Sequence, residues 1–116
     1  MINEQTYVDM EKSAMVLKLL GDKTRLSMVK MLDTNDCCVC EFVAIFNASQ
    51  PAISQHIRKL KDVGIVKEER KGQWVMFSLN KESKYYPMIS SILLHVPDQS
   101  DRIKELEEQG LRISCD

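Results

Sequence analysis

The chain has 116 residues, 44% hydrophobic and 28% charged, with a net charge of −1. That length fits one domain with a modest core, and the composition is that of a folded soluble protein rather than a disordered one. No apolar run approaches the ~20 residues a membrane helix needs, and the polar stretch from Met1 to Glu11 does not read as a secretion signal, so a cytoplasmic chain without a membrane partner is expected.

The near-zero total hides a division. Over residues 51–73, six positive side chains (Arg58, Lys59, Lys61, Lys67, Arg70, Lys71) stand against three negative ones, whereas residues 96–116 carry three positive and six negative. A basic middle offers one face that can meet phosphates, although an ordinary solvated surface would look similar.

In chain order, Val8, Met15, Val16, Leu19 and Leu20 sit at helical spacing within a first helix over Gln5–Leu20. Gly21 ends it and Asp22 caps a second, which turns Leu26, Val29 and Leu32 toward a core. The polar break 33–36 leads to a short helix over Val39–Phe46, with Phe42, Val43 and Phe46 on one face. After the turn Asn47-Ala48-Ser49, a fourth helix carries Pro51 in its first turn and an apolar stripe of Ile53, Ile57 and Leu60. Gly64 closes it. Two β-rich runs, Ile65–Glu69 and Trp74–Leu79, flank a Gly-containing loop at 70–73. A fifth helix over Glu82–Val96 follows, starting late or bending at Pro87. The expected fold class is mainly α with a β-hairpin wing: a winged helix-turn-helix over residues 1–97, followed by a charged tail over 98–116 with Ile103 and Leu106 as helical anchors.

Two short helices joined by three residues, the second polar on its outer face, can place that second helix in a major groove. Ser49 can cap this helix and counts among its DNA-binding residues; Gln50, Ser54 and Gln55 suit neutral hydrogen bonds to bases, while Arg58 and Lys59 reach guanine edges or phosphates. His56 lies near the core edge of the same helix and is either structural or DNA-facing. Arg70, Lys71 and Gln73 at the hairpin would lie on the backbone or in a minor groove. No phosphate loop, acid/base pair or redox scaffold supports an enzyme.

The run from Ser49 to Val66 resembles the recognition helix and following strand of the ArsR/SmtB family of metalloregulatory repressors. Leu20-Gly21-Asp22-Lys23-Thr24-Arg25-Leu26 resembles the start of that family's second helix, and Arg70 to Val75 its wing. The resemblance implies a homodimer through the first and last helices, bound to double-stranded DNA with an imperfect inverted repeat and released by an inducer.

The four cysteines are not expected to be disulfide-bonded in a reducing compartment, and three of them (Cys37, Cys38, Cys40) crowd into one turn. Soft donors at this density suit a thiophilic ion of low coordination number such as As(III) or Sb(III). A helix N-terminus would lower their pKa values. On an ideal helix Cys38 and Cys40 point about 200° apart and can grip one ion only by distorting the first turn, whereas Cys37 and Cys40 share a face. That distortion would move the third helix against the fourth, a route from ligand to DNA. Cys38-Val39-Cys40 resembles the Cys-Val-Cys core of the arsenic-sensing branch, with Val43 where some members have a third cysteine. Cys37 is the favoured replacement and Cys115 the alternative. A thiol redox or persulfide sensor remains open, as does a sensor of Cd(II), Pb(II) or Zn(II); zinc would need a histidine, His56 or His95, to complete four ligands.

Overall fold

The computed structural model describes residues 7–112, and the six helices and one hairpin of this region follow the expected order. Helix α1 (Met10–Leu20) starts where the Asp9 carboxylate accepts the Lys12 N–H at 2.8 Å, several residues later than the apolar spacing suggested. Asp22 caps α2 (Lys23–Leu32) in the same way, accepting from the Arg25 N–H at 3.0 Å. In α2 the buried face is Met28, Val29, Met31 and Leu32, so two methionines share the interior that Leu26, half-buried, was expected to fill.

Helix α3 (Val39–Phe46) ends on Asn47, whose backbone is left-handed at φ 50°, a conformation asparagine tolerates better than most residues. Asn47 thereby reverses the chain in three residues. Ser49 then caps α4 (Gln50–Asp62) by accepting the Ala52 N–H at 3.3 Å, and Pro51 sits in the first turn, where its missing N–H leaves nothing unpaired. Ile53, Ile57 and Leu60 are buried along the inward stripe.

Strands β1 (Val66–Lys71) and β2 (Trp74–Leu79) pair antiparallel from Val66 opposite Leu79 to Lys71 opposite Trp74. The connection is therefore the two-residue turn Gly72-Gln73, not the four-residue loop expected, and Gly72 at φ +64° supplies the positive φ such a turn requires. Arg70 and Lys71 belong to the strand.

Helix α5 is shorter than its apolar pattern, Tyr86–Leu93, with Pro87 in its first turn. The Lys30 ammonium reaches from α2 to the Leu93 carbonyl at 2.8 Å, satisfying one of the unpaired acceptors at the end of α5. Helix α6 (Ser100–Glu108) packs on α3, burying Ile103 and Leu106, with the Arg102 guanidinium over the Phe46 ring at 5.1 Å.

Candidate functional site

The cysteine loop departs from helical geometry before α3 begins. Cys37 forms a β-bridge to Phe77: its N–H donates to the Phe77 carbonyl at 3.0 Å, and the Phe77 N–H donates back at 2.7 Å. Cys38 is the N-cap of α3, with an extended backbone at φ −99°, ψ 168°. Only Cys40 lies inside the helix. This corrects the ideal-helix picture, because an extended residue directs its side chain independently of the helical wheel. The Cys38 and Cys40 sulfurs face each other, 2.6 Å apart, without any unwinding of the first turn.

Cys37 lies on the other side. Its buried thiol is 3.9 Å from the Arg112 guanidinium, which also donates to the Asp36 carbonyl at 2.9 Å and to the Glu41 carboxylate at 2.7 Å. Glu41 is 1% exposed, and its second oxygen accepts the Cys38 N–H at 2.9 Å, the return half of a capping box. A buried carboxylate is tolerable here because a guanidinium and a backbone donor meet it. Neither Glu41 nor Arg112 was among the sequence-predicted residues. The spacing Cys38-x-x-Glu41 was a readable signal for the first; nothing local could reveal an arginine 71 residues away.

Burial, more than any other influence, pushes the Cys37 thiol up to about 12, with the Glu41 carboxylate adding to it and Arg112 opposing. Cys38 is also pushed up to about 12, by burial first and then by its hydrogen bond with Cys40. At Cys38 the Glu41 N–H of the first turn does lower the pKa, as expected of a helix N-terminus, but burial and Cys40 outweigh this, while Cys37 precedes the helix. Both are neutral thiols near pH 7. Cys115 lies outside the described residues, as do residues 1–6, where the first helix was expected to begin. Among the described residues, no three His, Cys, Asp or Glu side chains form a metal-holding group.

Cys38 and Cys40 open into a pocket of about 450 Å³ between α3, the start of α4 and β2. Val39, Val43, Trp74, Val75 and Phe77 line it, with Gln50 at its edge. The sequence marked none of these five apolar residues as functional.

The outward face of α4 keeps Gln50, Gln55, Arg58 and Lys59 exposed and Ser54 half-exposed, with the Gln50 amide donating to the Ser54 hydroxyl at 3.2 Å. Ser49 is exposed but its hydroxyl is engaged as the cap. His56 is half-buried, and its Nδ1 accepts from Arg25 at 3.1 Å, whose Nε donates to the Leu19 carbonyl at 2.7 Å. His56 thus ties α4 to the α1–α2 corner. On the hairpin Arg70 and Gln73 are exposed, whereas the Lys71 ammonium is paired with Asp36 at 3.2 Å. The wing and the cysteine loop are joined through side chains as well as through the bridge at Phe77.

Helix pair, three-residue turn, polar outer face and hairpin together define a winged helix-turn-helix transcriptional regulator. The solved structure of the transcriptional repressor BigR from Xylella fastidiosa superposes with a TM-score of 0.66 at 26% identity, covering 74% of this chain and 84% of that one. Residues 22–68 match the family model described as bacterial regulatory protein, arsR family. The arsenic resistance transcriptional regulator ArsR2 of Pseudomonas putida is 40% identical over 106 residues, covering 85% of this chain and 92% of that protein. Its ArsR1 from the same organism is 41% identical over 68 residues, and there the match spans 58% of this chain and only 53% of the relative. The chain belongs to the ArsR family.

Proposed function

We propose that this chain is an arsenite- or antimonite-responsive repressor that binds operator DNA as a homodimer and leaves it when As(III) or Sb(III) binds the cysteine loop. The observation that carries the reading is the Cys38–Cys40 pair, two sulfurs already facing each other at the start of α3, immediately ahead of α4. Two relatives that bear the name of arsenic resistance regulators add to it. Trivalent arsenic takes few, soft ligands, and Zn(II) wants four. His56 is engaged with Arg25 and His95 is exposed beyond α5, which leaves a zinc reading without its nitrogen donor.

Arsenite holds three exchangeable hydroxyls, and its third thiol would come from Cys37, at the expense of the strand bonds to Phe77, or from Cys115. Gln50, Ser54, Gln55, Arg58 and Lys59 would read the major groove, with Ser49 fixing the helix start, His56 holding the helix in place, and Arg70, Lys71 and Gln73 on the phosphates. The dimer reading rests on apolar side chains left open: Met10 and Leu17, one heptad apart on α1, and Leu94 just beyond α5. Helix α6, the last among the described residues, packs its apolar residues on α3. A free thiol site of this kind belongs in a reducing cytoplasm.

The test is fluorescence anisotropy of a labelled promoter duplex with reduced protein, titrated with arsenite. Release at about one equivalent per chain in the parent, with Cys38→Ser and Cys40→Ser still bound to DNA and unresponsive, is the expected outcome. Binding that only an oxidant or a persulfide donor reverses would move the sensor to thiol redox chemistry, which two facing sulfurs also permit. A duplex affinity insensitive to salt and to Arg58→Ala would overturn the DNA-reading face.

A further inference from the structure

Resting on the arsenical reading, we infer that the Cys38–Cys40 site is built for a trivalent arsenical carrying one carbon substituent, with that substituent seated in the pocket beside Trp74. Three observations lead there. Two sulfurs converge and the third cysteine of the cluster is turned away, held by both backbone bonds to Phe77 and lying beside Arg112. The pair opens into a pocket of about 450 Å³ whose walls are Val39, Val43, Trp74, Val75 and Phe77. Among the described residues, the polar side-chain groups on that lining apart from the cysteines are the Gln50 amide and the Trp74 indole N–H.

The valences of arsenic decide between ligands. Arsenite on two thiols keeps one As–OH, a polar group to which the mostly apolar lining offers only the Gln50 amide and the Trp74 indole N–H. A mono-substituted arsenical R–As(OH)₂ has only two exchangeable positions. Its arsenic forms two As–S bonds as two As–O bonds break; each thiol proton joins a departing hydroxyl, so two water molecules leave and no electrons are transferred. Two thiols then complete the metalloid, and the carbon group takes the apolar space.

Trp74 is the single tryptophan of the chain and lines the pocket, so the protein reports its own occupancy. Reduced full-length protein would be titrated with phenylarsonous acid and, separately, with arsenite, following Trp74 fluorescence and anisotropy of the promoter duplex. Phenylarsonous acid should bind one per chain by intact mass, change Trp74 fluorescence, and release the duplex at a concentration about tenfold or more below arsenite, given the apolar area a phenyl ring buries. Cys37→Ala should leave this response intact, while Cys38→Ser and Cys40→Ser abolish it. Val43→Phe, which narrows the pocket, should reduce the preference for the phenyl compound while keeping the response to arsenite. Equal or better release by arsenite, a requirement for Cys37 or Cys115 in the phenyl response, or an unchanged Trp74 signal on binding would each overturn the inference and leave the arsenite-responsive repressor standing. Duplex binding that neither arsenical reverses would remove both.

Discussion

The two flanks of the cysteine loop differ in what covers them. On one, Cys37 is fully buried in a charged setting where Arg112, Glu41 and the Asp36 carbonyl close over it. On the other, Cys38 and Cys40 face each other across an open apolar pocket. Adjacent residues reach opposite flanks because the backbone is extended through Cys37 and Cys38, and successive side chains of extended chain alternate. A run of three thiols in sequence is therefore two in one place and one in another. The charged flank ties the loop to Arg112; the apolar flank leaves two thiols open to the pocket.

The comparison breaks first, if it breaks, at Glu41. Glu41→Ala leaves the Cys38 N–H without its buried acceptor and Arg112 without its counter-charge, and is expected to cost about 3 kcal/mol or more of stability. Urea unfolding measures it; a loss under about 1 kcal/mol would mean that the charged flank does not hold the loop. A smaller effect, sharper in origin, depends on pH. The Cys37 thiol is pushed up to about 12 in the native state, against about 8.5 for a cysteine in an unfolded chain. Between those values the unfolded chain has lost its proton and the native one has not, so stability is intact below about pH 8.5 and falls as pH rises, by at most about 1.4 kcal/mol per unit for this group. Urea unfolding at pH 8 and pH 10 should show the decline, and Cys37→Ala should make it shallower, leaving the share of Cys38, which is pushed up in the same way. An identical pH slope in the variant would place Cys37 in a more open setting.

The smallest expected effect is at the rim. Asp36→Ala removes a partly exposed ion pair with Lys71 and should change stability by about 0.5 kcal/mol or less. The same substitution should tighten binding to the promoter duplex, since it removes a negative charge beside a lysine of the wing. Unaltered or weaker duplex binding would argue that Lys71 does not face phosphates.

Much of the fold was legible in local pattern. The stripe Ile53, Ile57, Leu60, the capping residues Asp22 and Ser49, Pro51 in a first turn and Gly72 in a turn all act within a few residues of themselves, and periodicity reads such features well. The site was legible as a list of thiols but not as a geometry. Its shape comes from pairings between distant segments, Cys37 with Phe77 and Glu41 with Arg112, that no window of the sequence contains. The residues expected to face DNA divide in the same way. Gln55, Arg58 and Lys59 are exposed as the helical wheel implied, while His56 and Lys71 are drawn into contacts with Arg25 and Asp36 that their own neighbourhoods did not announce.

The bridge between Cys37 and Phe77 gives the hairpin a short third member: the cysteine loop lies along β2 as a strand of one residue. The cysteine loop and the hairpin are thereby joined, and the chain reaches α4 through α3 and the short left-handed corner at Asn47. On the proposed function, a ligand that tightens around Cys38 would pull one residue from that bridge. The lever would have its handle at the sulfurs and its tip at Arg70, so that the angle between hairpin and α4, rather than the position of either alone, would be the quantity through which metalloid and DNA compete.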